Sequence, residues 1–135
     1  MVNQFTDLRL STHILESYVI RNEIFEAISV VKHSFRGKVL DSGCGIMPYK
    51  KVILENKEIT SYVALDIESG LSYDDVGPDF CWNGLTMPFE NDTFEVVLST
   101  EVLEHVLNPD IYLLDVKRVL KPGGGFFKAI FNVIT

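Results

Sequence analysis

The hydrophobic positions of this chain follow two spacings in alternation. Ile20, Ile24, Ile28 and Val31 recur every three or four residues with Arg21, Asn22 and Glu23 between them. That spacing predicts a helix capped by Ser11 or Thr12, running to about His33 and stopped at Arg36-Gly37. A short apolar run over 38–41, dominated by Val39 and Leu40, then reads as a buried first strand. Residues 49–56 carry Tyr49, Val52, Ile53 and Leu54 among lysines and a glutamate, the pattern of a crossover helix. A second strand is predicted over 62–66, a polar stretch over 68–78, a strand stub over 79–82 and a clear strand over 94–99.

Asn108-Pro109-Asp110 supplies a cap, a first-turn proline and an early acid, so a helix starts there. It should bury Tyr112, Leu113, Val116, Val119 and Leu120, with Lys117, Arg118 and Lys121 at the negative end of its dipole. Lys121-Pro122-Gly123 should end it, and a last strand should run over 126–133. Strands alternating with helices specify an α/β fold, a mostly parallel sheet with right-handed crossovers.

At 135 residues the chain fits one domain over 1–135, with a helical segment over 1–37 before a strand-and-helix core over 38–135. Nineteen acidic against twelve basic residues give a charge of -7, and without a basic run this argues against a nucleic-acid partner. The two cysteines, Cys44 and Cys81, form no C-x-x-C pair, and no His/Cys cluster has metal spacing. No apolar stretch approaches the roughly 18 residues of a membrane span. A cytoplasmic, soluble protein without membrane contact is expected.

Chemistry concentrates at the strand ends. Val39-Leu40-Asp41-Ser42-Gly43-Cys44-Gly45 is a strand that ends in an acid and breaks into a Gly-x-Gly turn, a geometry that brings backbone close to a small ligand. Tyr62-Val63-Ala64-Leu65 ends in a second acid, Asp66, about 20 residues on, as a nucleoside-binding crossover requires. A dinucleotide fingerprint would place a third glycine where Pro48 stands. S-adenosylmethionine has no pyrophosphate and tolerates a bulkier turn.

With Met87-Pro88-Phe89 leading to Phe94-Glu95-Val96-Val97, then Val102-Leu103-Glu104-His105-Val106 and Arg118-Val119-Leu120-Lys121-Pro122-Gly123-Gly124, these stretches resemble the class I S-adenosylmethionine-dependent methyltransferases. Within that class the chain is similar to the small-molecule type with a Leu-Glu-His motif. The resemblance implies a three-layer Rossmann-like sheet of about five strands in the order 3-2-1-4-5, with helices on both faces. It implies S-adenosyl-L-methionine as cofactor and a small-molecule acceptor. Gly43, Cys44 and Gly45 would form the turn against the methionine part, with Asp41 organising it and facing the amino group directly or through water. Asp66 would accept from both ribose hydroxyls and Ile67 would flank the adenine. Asn83, beside Gly84, stands where an aspartate usually meets the adenine amine, and serves either that contact or a turn. Ser99, Thr100 and Glu101 would border the methyl group. His105, with Glu104, is the general-base candidate for a hydroxyl or amine acceptor, or else a structural residue of its loop. Cys44 lacks a basic neighbour and reads as a packed side chain.

Full-length members of the family add an antiparallel β6/β7 hairpin beside strand five. Here Phe126, Phe127, Ala129, Ile130, Phe131, Val133 and Ile134 would form a bare apolar edge, covered by another chain as a homo-oligomer or marking a truncated piece of a longer protein. Met47 and Glu95 are milder departures, at a further loop glycine and a strand aspartate. The competing expectation is a catalytically inert cofactor-binding domain acting as a partner subunit.

Overall fold

The computed structural model describes residues 12–67, 77–100, 102 and 106–129, with side chains from residue 22 onward. The elements are α1 (Thr12–Val31), β1 (Gly37–Ser42), α2 (Lys50–Ile53), β2 (Ile59–Ile67), β3 (Phe80–Trp82), β4 (Phe94–Thr100), α3 (Pro109–Val119) and β5 (Leu120–Ala129). All four strand pairings are parallel and the order is β3-β2-β1-β4-β5. The expected 3-2-1-4-5 Rossmann-like sheet is therefore present.

Strand alternation divides the core between the two faces. Val39, Val96 and Leu98 pack with Ile24 and Ile28 of α1 and Val52 and Ile53 of α2. Leu40, Leu65 and Val97 pack on the other face with Tyr112, Val116 and Val119 of α3. Each fully buried aliphatic side chain contributes about 2 kcal/mol, and the central strands β1 and β4 supply Val39, Leu40, Val97 and Leu98 among them. The Asn108 side chain accepts from the Ile111 amide at 3.2 Å, the cap the sequence predicts.

Several boundaries differ from expectation, each for a local reason. α1 ends at Val31 and passes into a single 3-10 turn, Lys32–Ser34. α2 stops at Ile53 rather than 56, because the Asn56 amide donates at 2.7 Å to the carbonyls of both Lys32 and Phe35. Those bonds turn the chain out of the helix and let it meet β1 early, so β2 starts at Ile59. β5 begins at Leu120, not 126, since Lys121-Pro122-Gly123-Gly124 forms a bulge between the pairings Phe94↔Leu120 and Val96↔Gly125. Leu113 is exposed and Leu120 half-buried, and the helix buries Asp115 beside Tyr112, Val116 and Val119.

Asp115 is part of a polar fastening. Its carboxylate accepts the Met87 amide at 2.6 Å and the Arg118 Nε at 2.7 Å. Arg118 also donates to the carbonyls of Phe89 at 2.7 Å and Met87 at 3.1 Å, and to Asn91 Oδ1 at 3.2 Å. With its second bond to Asp115, at 3.3 Å, the guanidinium uses all of its donors. The segment before β4 is thereby fixed to α3.

Candidate functional site

Because every strand runs the same way, the carboxyl ends of β1, β2, β3 and β4 share one edge of the sheet. The strand order reverses at β1, which lies between β2 and β4, and such a switch point opens a crevice at that edge. The glycine turn and both predicted acids lie there.

Three consecutive amides attach the turn to the end of β2. Gly43 and Cys44 both donate to the Leu65 carbonyl, at 2.7 and 3.0 Å, and Gly45 donates to Asp66 Oδ2 at 3.1 Å. The other carboxylate oxygen of Asp66 accepts its neighbour's amide, that of Ile67, at 2.8 Å. Each oxygen retains a further lone pair for a ligand hydroxyl. Ile67 is exposed beside it.

The two glycines serve different ends. Gly43 has φ +77°, and a Cβ there would lie 2.4 Å from Val102 Cγ2, so both backbone and packing demand glycine. Gly45 has φ +52° and no atom within 4 Å of where its Cβ would be, leaving an open face over the turn. That uncovered backbone is a cradle that a ligand can approach.

Asp41 is buried, and its Oδ2 accepts from the Tyr62 hydroxyl. Burial pushes its carboxyl up to about 6 despite the Tyr62 bond, with Asp66 adding to the rise. Cys44 is buried too, and desolvation, then Asp41 and Asp66, push its thiol up to about 12. A thiol so protected is no nucleophile at neutral pH, and packing accounts for it. The local field of Asp41 and Asp66 favours a cationic ligand group near the turn.

The remaining predicted residues divide. Ser99 is buried and its Oγ accepts from the Tyr112 hydroxyl at 2.8 Å, so it is engaged within the core. Asn83 Oδ1 accepts the amides of Leu85 at 2.9 Å and Thr86 at 3.1 Å, a turn built around Gly84, which has φ +82°. Of the two roles open to Asn83, its oxygen performs the turn. Glu101, Glu104 and His105 lie outside the described residues, as do Ile130, Phe131, Val133 and Ile134.

Sequence reasoning missed Asp79 and the hydroxyls of Tyr62 and Tyr112. Asp79 Oδ2 accepts the Ala64 amide at 2.9 Å and its own amide returns a bond to the Ala64 carbonyl at 2.9 Å, fixing the start of β3. The tyrosines read as apolar ring positions, and their available signal was a phenol where phenylalanine would fill the same space.

A concavity of about 620 Å³ lies at the opposite edge, lined by Phe35, Glu95, Lys121 and Phe127 among others. None of the turn or its acids borders it, so it is separate from the switch-point crevice.

Residues 40–127 match the family described as methyltransferase domain, which covers more than half of the chain. With the 3-2-1-4-5 parallel sheet beneath that match, the chain belongs to the class I methyltransferase-domain family. It is 32% identical over 113 residues to the uncharacterized protein MJ0638 of Methanocaldococcus jannaschii, covering 81% of this chain and 49% of that one. A Maricaulis maris ubiquinone biosynthesis O-methyltransferase is 51% identical over 39 residues, 29% of this chain and 15% of that protein. Among solved structures, the PH0226 protein of Pyrococcus horikoshii is similar with a TM-score of 0.62 and 26% identity, over 82% of this chain and 53% of that one. A Methanococcus maripaludis protein, provisionally assigned as an S-adenosyl-L-methionine-dependent methyltransferase, shares the fold with a TM-score of 0.64 and 15% identity, over 83% and 57% of the two chains. The chain spans about half the length of MJ0638 and a smaller share of the Maricaulis enzyme.

Proposed function

We propose that this protein binds S-adenosylmethionine at the Gly43–Gly45 turn and takes part in methyl transfer to a small-molecule acceptor. The observation that carries the reading is the pairing of Asp66 with the turn: its carboxylate receives the Gly45 amide and keeps lone pairs beside the open face of Gly45. That arrangement suits a vicinal diol held next to a cationic amino-acid portion. The cofactor supplies an electrophilic methyl on a sulfonium. The protein's own contribution is binding and orientation: Asp66 accepts the diol, Gly45 admits close approach, and the negative charge of Asp41 and Asp66 favours the cation. His105 and Glu104 would border the acceptor and receive its proton. The O-methyltransferase named among the relatives supports an oxygen acceptor, over a short shared stretch.

Calorimetric titration with S-adenosylhomocysteine tests this. The expected result is saturable binding that Asp66→Ala weakens at least tenfold, by loss of charge-assisted bonds of about 1.5–3 kcal/mol, with the fold intact by circular dichroism. A folded wild-type chain that releases no heat would overturn it.

A further inference from the structure

Asp41 and Ser42 are consecutive residues at the end of β1, so their side chains leave opposite faces of the sheet. Each meets a tyrosine hydroxyl. On the α1 and α2 face, Tyr62 lies opposite Val39 in register and its hydroxyl reaches forward to the Asp41 carboxylate. On the α3 face, the fully buried Tyr112 lies 2.8 Å from Ser42 Oγ and donates to Ser99 Oγ at 2.8 Å. A phenol has one proton, so with that proton on Ser99 it is Ser42 that donates to Tyr112. Ser42 and Ser99 are register partners on β1 and β4, so this chain also joins the two strands at the switch point. Phenylalanine would fill both sites without desolvating a hydroxyl, a cost that only the bond made offsets. Both bonds fall on the dipeptide just before the glycine turn.

We propose that Tyr62 and Tyr112 are positioning residues that grip the end of β1 from both faces and so preorganise the Gly43–Gly45 turn for its ligand. Neither touches the ligand. Each acts through Asp41 or Ser42 on the turn whose amides bond to Leu65 and Asp66. The inference rests on the cofactor reading for its effect on affinity, and on geometry alone for its effect on the turn.

The test uses Tyr62→Phe and Tyr112→Phe in the full chain, read by S-adenosylhomocysteine titration and by native-state amide hydrogen exchange. Each substitution should weaken binding by about tenfold, the effect of one well-made hydrogen bond. The amides of Gly43, Cys44 and Gly45 should exchange faster by a similar factor, while those of Leu40 and Val97 keep their protection. Ser42→Ala removes the β1 partner of Tyr112 and leaves the ring in place, so it gives the same pattern even if Tyr112→Phe fails to fold. Unchanged turn exchange in these variants overturns the proposal. Uniform acceleration across the sheet overturns it too, since that is loss of packing. If the wild type does not bind the probe, the cofactor reading falls, and exchange at the turn still decides whether the grip exists.

Discussion

The two edges of the sheet are both cross-linked by side chains, but the chemistry of the links differs. At the amino edge Glu95 accepts the Lys38 amide and the Lys121 ammonium, both at 2.6 Å, tying β1, β4 and β5 in partly exposed surroundings. At the carboxyl edge the links are hydroxyls and a carboxylate withdrawn from water, around a turn whose two glycines have positive φ. Exposed ion pairs are weak and screened, so the amino-edge link is a modest fastening. Buried polar groups cost free energy unless fully paired, so a concentration of them marks where geometry is held against that cost. The contrast separates the concavity at the amino edge from the edge where a ligand is organised.

Five substitutions would break or sharpen that contrast. Gly43→Ala should have the largest effect, about 3 kcal/mol or more, because a methyl group meets Val102 at an unfavourable φ. Gly45→Ala, with open space around it, should cost about 1 kcal/mol of stability and still abolish most probe binding. Urea unfolding of the pair measures the split, and equal losses would contradict it. Arg118→Lys should lose about 2 kcal/mol, because an ammonium cannot bridge Asp115 and the carbonyls of Met87 and Phe89 together.

Asp41→Asn should act through pH. The carboxyl sits at about 6 in the fold against 3.8 unfolded, so between those values the native state binds more protons. Stability from this group is therefore highest below about pH 4 and falls as pH rises through 6, by about 3 kcal/mol. The asparagine variant should flatten that slope in thermal melts between pH 4 and 7. Lys121→Ala, at the amino edge, should cost less than about 1 kcal/mol, and high salt should remove the difference. Glu95, held below the usual carboxylate range by Lys121 and then by the Lys38 amide, contributes stability above that range that disappears as pH falls through it.

Legibility in the sequence followed the range of the interaction. The parallel sheet, both central strands and the Asn108 cap were readable because each depends on local spacing or on a turn within a few residues, while the strand order was implied by the family resemblance. The early end of α2 was not, since Asn56 acts on carbonyls of Lys32 and Phe35 more than twenty positions away. The bulge in β5 was misread for a related reason: Pro122-Gly123 is a stop signal locally and a bulge only once β4 lies alongside. At the site, Asp41, Asp66 and the turn were readable as strand ends. The two tyrosine hydroxyls were not, because spacing reports which face a ring occupies and says nothing about where its oxygen points.

Arg118 has every donor committed, and its five acceptors belong to Met87, Phe89 and Asn91 on one side and Asp115 on the other. Such saturation makes the guanidinium a gauge of chain length. An inserted or deleted residue between Met87 and Asn91 would leave donors without acceptors, whereas Leu107, just before the cap at Asn108, is fully exposed and accommodates a change of length. Natural variation in loop length should therefore gather at the ligand edge and avoid the segment read by Arg118, so the acceptor side can diversify while the sheet order stays fixed.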